Sequence, residues 1–222
     1  MIISKLLRHV IGLAAVAVLT IVGGCATQPA VDYSAFKASK PASVLVLPPM
    51  NESPEVQASD AVLAQLTMPL AESGYYVIPV AVARETFRQN GMTQPAEIQA
   101  LPIAKLREIF GADAALYIKV QRYGTSYFVI GSESAVAMEG KLVDLRDGKE
   151  LWSSKAVASS AEGRSSGGGL AGLLITALAS QILDSIGDES FRQAGIASQR
   201  FVSGMLPGPY APNYAAVYGT VQ

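Results

Sequence analysis

The chain has 222 residues, a size that suits one domain with ample apolar material for a core. Its 17 lysines and arginines nearly balance 18 aspartates and glutamates, so the net charge of -1 gives no support for nucleic-acid binding. The chain holds one cysteine and one histidine. A disulfide within the chain is therefore excluded, and little imidazole chemistry is left.

The first 24 residues have the layout of a secretory signal peptide. Lys5 and Arg8 supply a positive start, and an uncharged apolar stretch follows over residues 10–22. That stretch is too short to cross about 30 Å of hydrocarbon comfortably. We therefore interpret it as a cleavable signal and not as a membrane span.

The signal ends in Val22-Gly23-Gly24-Cys25, so the one cysteine stands where cleavage is due. This tetrapeptide resembles the bacterial lipobox, which implies cleavage between Gly24 and Cys25 and acylation of Cys25 on sulfur and then on nitrogen. Stable anchoring needs more than one acyl chain, and three chains on one residue satisfy that need. Ala26 follows where inner-membrane lipoproteins of enteric bacteria often carry Asp. The resemblance therefore implies a lipid anchor in the outer membrane, on its periplasmic face.

Cleavage changes the chemistry that the mature chain can perform. Removal of residues 1–24 leaves 198 residues with fifteen basic and eighteen acidic side chains, a net charge of about -3. His9 leaves with the signal, and the Cys25 thiol becomes a thioether. Ser-His-Asp and Cys-His catalysis are thereby excluded, as are zinc and copper sites of imidazole or thiolate. We predict no cofactor and no metal, and only carboxylate or lysine chemistry stays open.

Residues 25–41 show no sustained period, so we predict the lipidated cysteine and a tether that spans roughly 20 Å. One α+β domain is predicted over residues 42–205. It begins with a buried strand at residues 43–46, and Ser53-Pro54-Glu55 then predicts the start of a helix.

Val62, Leu66 and Leu70 share one face of that helix, which is typical of packing against a core. Gly74 ends the helix before a second strand at residues 75–80. Two helical segments follow, one that ends near residue 90 and one at residues 102–110. The pattern of this half is β-α-β-α-α.

An antiparallel meander is predicted from residue 114, with turns at Gly124 and Gly131. Asp147-Gly148 is a strong hairpin signal between alternating strands. Trp152 lies on the returning strand. We interpret it as a core or sheet-face aromatic, with a binding role as the alternative.

Residues 170–183 form a run of fourteen residues without a charge. The run is short for a membrane span and too apolar for an exposed helix. A helix packed wholly on the sheet and a membrane contact are two interpretations. The third is self-association, in which the small face of Gly168, Gly172 and Thr176 lets a second helix approach closely.

A final helix is predicted over residues 189–203, and a Pro/Tyr-rich tail over residues 206–222. Prolines keep such a tail extended, and Tyr210, Tyr214 and Tyr218 offer stiff amphipathic contacts. The tail is either a strap folded over its own domain or a strap that binds a partner.

Two segments carry a wider resemblance. One is the passage from a helix to a strand at residues 111–118, and the other is the hairpin of residues 142–152. Both resemble the TolB N-terminal domain and CsgG-like lipoproteins, whose element order matches residues 43–203. The whole mature chain, including residues 206–214, is similar to a family of small proteobacterial outer-membrane lipoproteins whose function is unassigned. Members often lie beside a CsgG-like lipoprotein, which implies such a partner.

These features predict an α+β fold with a mixed sheet, the antiparallel meander and C-terminal helices. The predicted function is a non-catalytic interaction or assembly module in envelope biogenesis or secretion. The alternative is an enzyme that acts on peptidoglycan or another glycan through carboxylates such as Asp113, Glu139 or Asp144. Nothing in the sequence pairs these acids.

Overall fold

The structure is a computed structural model that describes residues 31–128, 131–162 and 189–219. The predicted cleavage site at Gly24 and Cys25, and the predicted self-association residues Gly168, Gly172 and Thr176, lie outside these ranges. The described elements, in chain order, are α1 (Ser34–Ser39), β1 (Ser43–Val46), β2 (Met50–Asn51), α2 (Ala58–Glu72), β3 (Tyr76–Val77), α3 (Val80–Gln89), α4 (Pro95–Gln99), α5 (Ile103–Phe110), β4 (Ala114–Phe128), β5 (Gly131–Asp144), β6 (Glu150–Ser159), α6 (Glu189–Val202) and α7 (Tyr214–Tyr218).

The strands form one six-stranded mixed sheet, which confirms the predicted α+β class. Its order is β3-β1-β4-β5-β6, and β2 pairs with β4 further along. β1 runs parallel to both β3 and β4, whereas β4, β5 and β6 form an antiparallel meander. Tyr117 lies opposite Lys141, and Lys119 opposite Glu139, so these four residues share one face.

Strand alternation divides the core between the two faces of the sheet. Val44 and Val46 point to a face covered by α2 and α6, whereas Leu45 and Leu47 point to a face covered by α3, α4 and α5. The second set of helices covers β1 and the beginning of β4. Among the described residues, no helix continues this cover over β5 and β6.

Helix α2 buries the predicted face, because Val62, Leu66 and Leu70 are fully inaccessible. It begins at Ala58, however, and not at Ser53 as predicted. The Asn51 carboxamide accepts hydrogen bonds from the Ser53 amide and hydroxyl at 2.9 and 2.7 Å and donates to a backbone carbonyl four residues on. Such local side-chain bonds hold a turn in place of a first helical turn.

The predicted turn at Gly124 is wrong. β4 runs for 15 residues straight through Gly124, which lies opposite Ala135 on β5. The glycine serves a close approach: a Cβ there would come within 3.0 Å of the Glu55 side chain. By contrast, the Asp147-Gly148 turn joins β5 to β6 where it was predicted, with Gly148 at φ +77°.

The predicted tether at residues 25–41 is too long, and the domain begins before residue 42. Tyr33 and the residues after it belong to one compact unit. α1 buries Phe36 completely in the core beside α2 and α6, and the Tyr33 hydroxyl donates to the Gly204 carbonyl at 2.6 Å. One aromatic residue without a periodic neighbour gives no pattern from which this helix could be predicted.

The predicted domain end at residue 205 is also too early. The Gly208 amide donates to the Ser73 carbonyl at 2.8 Å, and the Tyr210 amide to the Gly74 carbonyl at 3.1 Å. The chain then turns into α7, so the prediction of an extended tail is wrong for residues 214–218. All prolines of the tail precede α7, and alanines within it favour a helix.

Candidate interaction surface

The acids named as catalytic candidates were Asp113, Glu139 and Asp144. Asp113 ends the loop before β4, and its carboxylate accepts hydrogen bonds from the Ala42 amide at 2.9 Å and from the Ser43 amide and hydroxyl at 3.0 Å. The Asp113 amide in turn donates to the Ser43 hydroxyl. The carboxylate therefore joins the start of β1 to the start of β4, and its acceptor positions serve the fold.

Asp144 is 3% exposed at the end of β5 and has a second structural role. Its carboxylate accepts hydrogen bonds from the Ser39 hydroxyl at 2.7 Å, the Arg146 amide at 2.7 Å and the Arg146 guanidinium at 2.6 Å. Burial alone would raise the pKa of Asp144, but these bonds outweigh it and lower the pKa to about 2. An acid with so low a pKa is a poor proton donor at neutral pH.

The open face of the meander carries the third candidate and three lysines. We call it the lysine face and define it by Tyr117, Lys119, Glu139, Lys141 and Lys155. Glu139 pairs with Lys155 at 2.9 Å, and Lys119 pairs with Glu52 at 3.1 Å. The lysine face borders a groove of about 510 Å³, which is lined by Met50, Gln99, Tyr117, Ile118, Lys119, Glu139, Gly140, Lys141, Glu150, Ser153, Ser154 and Lys155.

Lys141 is the exceptional cation of the lysine face. In the described part of the chain it has no carboxylate partner, and its ammonium lies 6.0 Å from the centre of the Tyr117 ring. A cation over an aromatic ring keeps its charge available to an incoming anion. The Gln99 side chain forms one wall of the groove, because its amide is held by the Pro48 and Ile118 carbonyls at 2.9 and 3.0 Å.

Glu139 does not have the raised pKa that the general acid of a glycosidase requires. The hydrogen bond from Lys155 lowers the pKa of Glu139, which is opposite to the rise that a general acid needs. Glu150 lies opposite Val143, four residues along β5 from Glu139, so the backbones are about 13 Å apart. Among the described residues, no cluster of acids could hold a metal ion.

The predicted strap residues lie on their own domain. Tyr210 is 73% exposed, and the Tyr214 and Tyr218 rings stack at 4.4 Å within α7. The Tyr75 hydroxyl donates to the Leu206 carbonyl, and the Lys40 ammonium lies 5.8 Å from the Tyr218 ring. Burial, with a smaller effect of Tyr214, raises the pKa of Tyr218 to about 12. The Tyr218 phenol therefore stays neutral at physiological pH.

Sequence reasoning missed the lysine face, although a signal was present. Lys119 stands between Ile118 and Val120, and Glu139 and Lys141 are two residues apart, which is typical of the solvent side of a strand. Trp152, on the opposite side of β6, is 4% exposed and meets Phe201 edge to face at 5.0 Å. The interpretation of Trp152 as a core aromatic is confirmed.

Comparison with known proteins shows the family to which the chain belongs. A family model described as "Putative lipoprotein GNA1162-like" matches residues 31–210. The chain is 47% identical over 208 residues to "Putative lipoprotein NMB1124/NMB1162" of Neisseria meningitidis serogroup B (strain ATCC BAA-335 / MC58), which covers 90% of this chain and 94% of that protein. The whole lysine face therefore lies inside the region that the family model matches.

One solved structure of the family agrees with the fold. The crystal structure of lipoprotein GNA1162 from Neisseria meningitidis is 50% identical, with a TM-score of 0.52 over 65% of this chain and 99% of that one. The PelC dodecamer from Paraburkholderia phytofirmans is 16% identical, with a TM-score of 0.44 over 82% and 96% of the two chains, which is too distant to bear on function or assembly. The predicted similarity to small lipoproteins is confirmed, and the chain belongs to the GNA1162-like lipoprotein family.

Proposed function

We propose that the protein is a non-catalytic assembly module of the cell envelope. Acyl chains on Cys25 hold it to the periplasmic face of the outer membrane, and the lysine face binds a protein partner in envelope biogenesis or secretion. The lipobox resemblance supports the anchor, and membership of a lipoprotein family agrees with it. The resemblance to CsgG-like lipoproteins and their neighbours supports a CsgG-like partner.

The lysine face is the observation that carries the proposal. Three strands present a charged groove there, with Lys141 lacking an acidic partner among the described residues. Two of the three candidate acids, Asp113 and Asp144, are occupied by hydrogen bonds that hold the fold. A surface of this kind suits an acidic segment of a partner better than it suits bond cleavage.

A crosslinking experiment tests the partner. A photo-reactive amino acid at Lys141 should capture a specific protein from intact membranes after irradiation. The matched control places the same amino acid at Lys105, an exposed lysine on α5 that pairs with Glu108. Equal capture from both positions, or capture from neither, contradicts a partner at the lysine face.

Substitution of Glu139 separates the module from the enzyme. Glu139→Gln removes the acid and keeps the size of the side chain. An assembly module should still complement a deletion strain, because the glutamine lies on an open surface. Loss of a true acid or base lowers a rate by about 10²- to 10⁴-fold. Failure of Glu139→Gln to complement at normal abundance, with normal crosslinking from Lys141, would therefore support the enzyme.

Substitution of Cys25 tests the anchor. Cys25→Ser cannot form the thioether that precedes cleavage, so the variant should accumulate as an unacylated precursor. Metabolic labelling with a palmitate analogue, followed by membrane fractionation, measures this. Label retained by Cys25→Ser would refute the lipid anchor, whereas a labelled wild type in the inner-membrane fraction would refute the outer-membrane assignment alone.

A further inference from the structure

The proposed anchor places a strict limit on the distance from the domain to the lipid. Cys25 precedes Tyr33 by eight residues, and a fully extended chain spans at most about 3.3 to 3.6 Å per residue. Tyr33, the first residue of the compact unit, is therefore within about 29 Å of the acylated residue. The end of the domain that holds Tyr33 must lie near the leaflet that holds the acyl chains.

The C-terminal tail lies at that same end. The Tyr33 hydroxyl donates to the Gly204 carbonyl at 2.6 Å, two residues after α6. Lys40, which ends α1, lies over the Tyr218 ring at 5.8 Å. Tyr76 lies opposite Ser43, at the start of β1, which closes the same end of the sheet.

These contacts gather a surface that we call the tyrosine face, defined by Tyr210, Tyr214, Tyr218 and Lys40. Tyr210 is 73% exposed, although it is a large aromatic residue. Tyrosine rings with a polar tip, and lysines with a long apolar stem, are the residues that settle in the headgroup layer of a bilayer. Glu72, the last residue of α2, adds a negative charge near this end of the domain. We therefore expect the tyrosine rings to contribute more to membrane binding than the charge of Lys40 does.

We infer that the tyrosine face docks on the headgroup layer of the leaflet in which Cys25 is anchored. The inference rests on the proposed acylation of Cys25. In this orientation, the end of the domain that holds Tyr33 faces the membrane. The far end of β4 then points away from the membrane, because Tyr127 is 13 residues along the strand from Ala114, about 40 Å.

The experiment uses the full acylated chain in vesicles of phosphatidylethanolamine and phosphatidylglycerol with brominated acyl chains. Tyr210→Trp places a fluorescent reporter on the tyrosine face. Tyr127→Trp is the matched control, since it replaces a tyrosine that is 80% exposed at the far end of the molecule. The parent chain gives the background from the buried Trp152, and an unchanged circular dichroism spectrum in each variant shows that the fold is intact.

We expect bromine to quench Tyr210→Trp about twofold, because interfacial aromatics reach roughly 5 to 10 Å into the bilayer boundary. Tyr127→Trp should not be quenched, and 0.5 M salt should leave the difference in place, which excludes a purely electrostatic contact. Should Tyr210→Trp fail to fold, Ala215→Trp on the exposed side of α7 is the second reporter.

The other outcomes refute the inference, and they distinguish failure of the docking from failure of the acyl anchor. Equal quenching of both reporters means that Tyr127 also lies close to the bilayer, which refutes docking by the tyrosine face alone. If Tyr210→Trp floats with the vesicles but is not quenched, the acyl anchor is supported and docking of the tyrosine face is refuted. The tail is then available to bind a protein partner. Protein that does not float with the vesicles refutes the acyl anchor and the docking together.

Discussion

Substitution of Asp144 by asparagine should destabilise the domain without touching either proposed surface. The carboxylate is buried and accepts hydrogen bonds from Ser39 on α1 and from both the amide and the guanidinium of Arg146. The Arg146 guanidinium also donates to the Ser39 carbonyl at 2.8 Å. An asparagine of the same size loses the charge and turns an N–H₂ group towards one of these donors. The substitution therefore weakens the hydrogen bonds that connect α1 to the turn before β6.

The magnitude follows from the pKa of this carboxyl. Its ordinary value is 3.8, and the folded protein lowers it to about 2. That difference corresponds to about 2 kcal/mol of stability at neutral pH. An unpaired donor next to the new amide adds to the cost, so we expect Asp144→Asn to lose about 2 to 3 kcal/mol. The melting temperature of a domain of this size should then fall by about 4 to 12 °C.

The assay is urea unfolding of the form that begins at Ala26, followed by the emission of the buried Trp152. Asp147→Asn is the control, because Asp147 lies three residues after Asp144 in the same turn and pairs with Lys149, and both of these side chains are exposed. The control should change stability little. A variant Asp144→Asn no less stable than Asp147→Asn would refute the assignment of Asp144 to the fold.

Acid titration gives a second check on the same reasoning. The folded pKa of Asp144 lies below the unfolded one, so its contribution is fully present above pH about 4 and is lost as pH falls towards 2. The difference in unfolding free energy between wild type and Asp144→Asn should therefore shrink over this window. A difference that stays constant from pH 5 to pH 2 would show that the charge of Asp144 is not its source.

Three further changes probe other parts of the molecule. Gly140→Ala should cost about 1 to 3 kcal/mol in urea unfolding, because the new Cβ would come within 2.4 Å of a backbone oxygen of β4. Tyr75→Phe removes the hydroxyl that donates to the Leu206 carbonyl, so limited proteolysis should cut the tail faster while the core stays intact. If the predicted self-association through the apolar segment is correct, Gly172→Leu should shift the protein towards monomer in light scattering, and a wild type that is already monomeric at high concentration would end that hypothesis.

Regular elements were predictable where one side of an element is uniformly apolar. The apolar run at residues 43–46 predicts a buried strand, and the structure buries Val44 and Leu45 on opposite faces of the sheet. The spacing of Val62 and Leu66 assigns one face of α2 to the core. Burial of these side chains dominates the local energy, so pattern and structure agree. The Asp147-Gly148 turn was predictable for a different reason, since glycine at positive φ is a local requirement.

The errors occurred where a single side chain decides the backbone path. Ser53-Pro54 has the chemistry of a helix start, but the Asn51 carboxamide captures the Ser53 amide and delays the helix to Ala58. Gly124 has the chemistry of a turn, but the register of β4 with β5 continues through it. Both outcomes depend on a competing partner, and composition alone does not rank two local partners against each other.

The two ends of the domain were the least predictable part, and they matter most for the proposed function. Phe36 and the Tyr/Pro tail carry no periodic pattern, because each is stabilised by contacts with residues distant in sequence, such as Tyr33 with Gly204. Those contacts shorten the linker before the domain and join its start to its end. A shorter linker leaves less freedom for the domain to turn above the membrane. The orientation of the lysine face towards a partner then depends on these end contacts, which is why loosening the tail by Tyr75→Phe should also weaken crosslinking from Lys141.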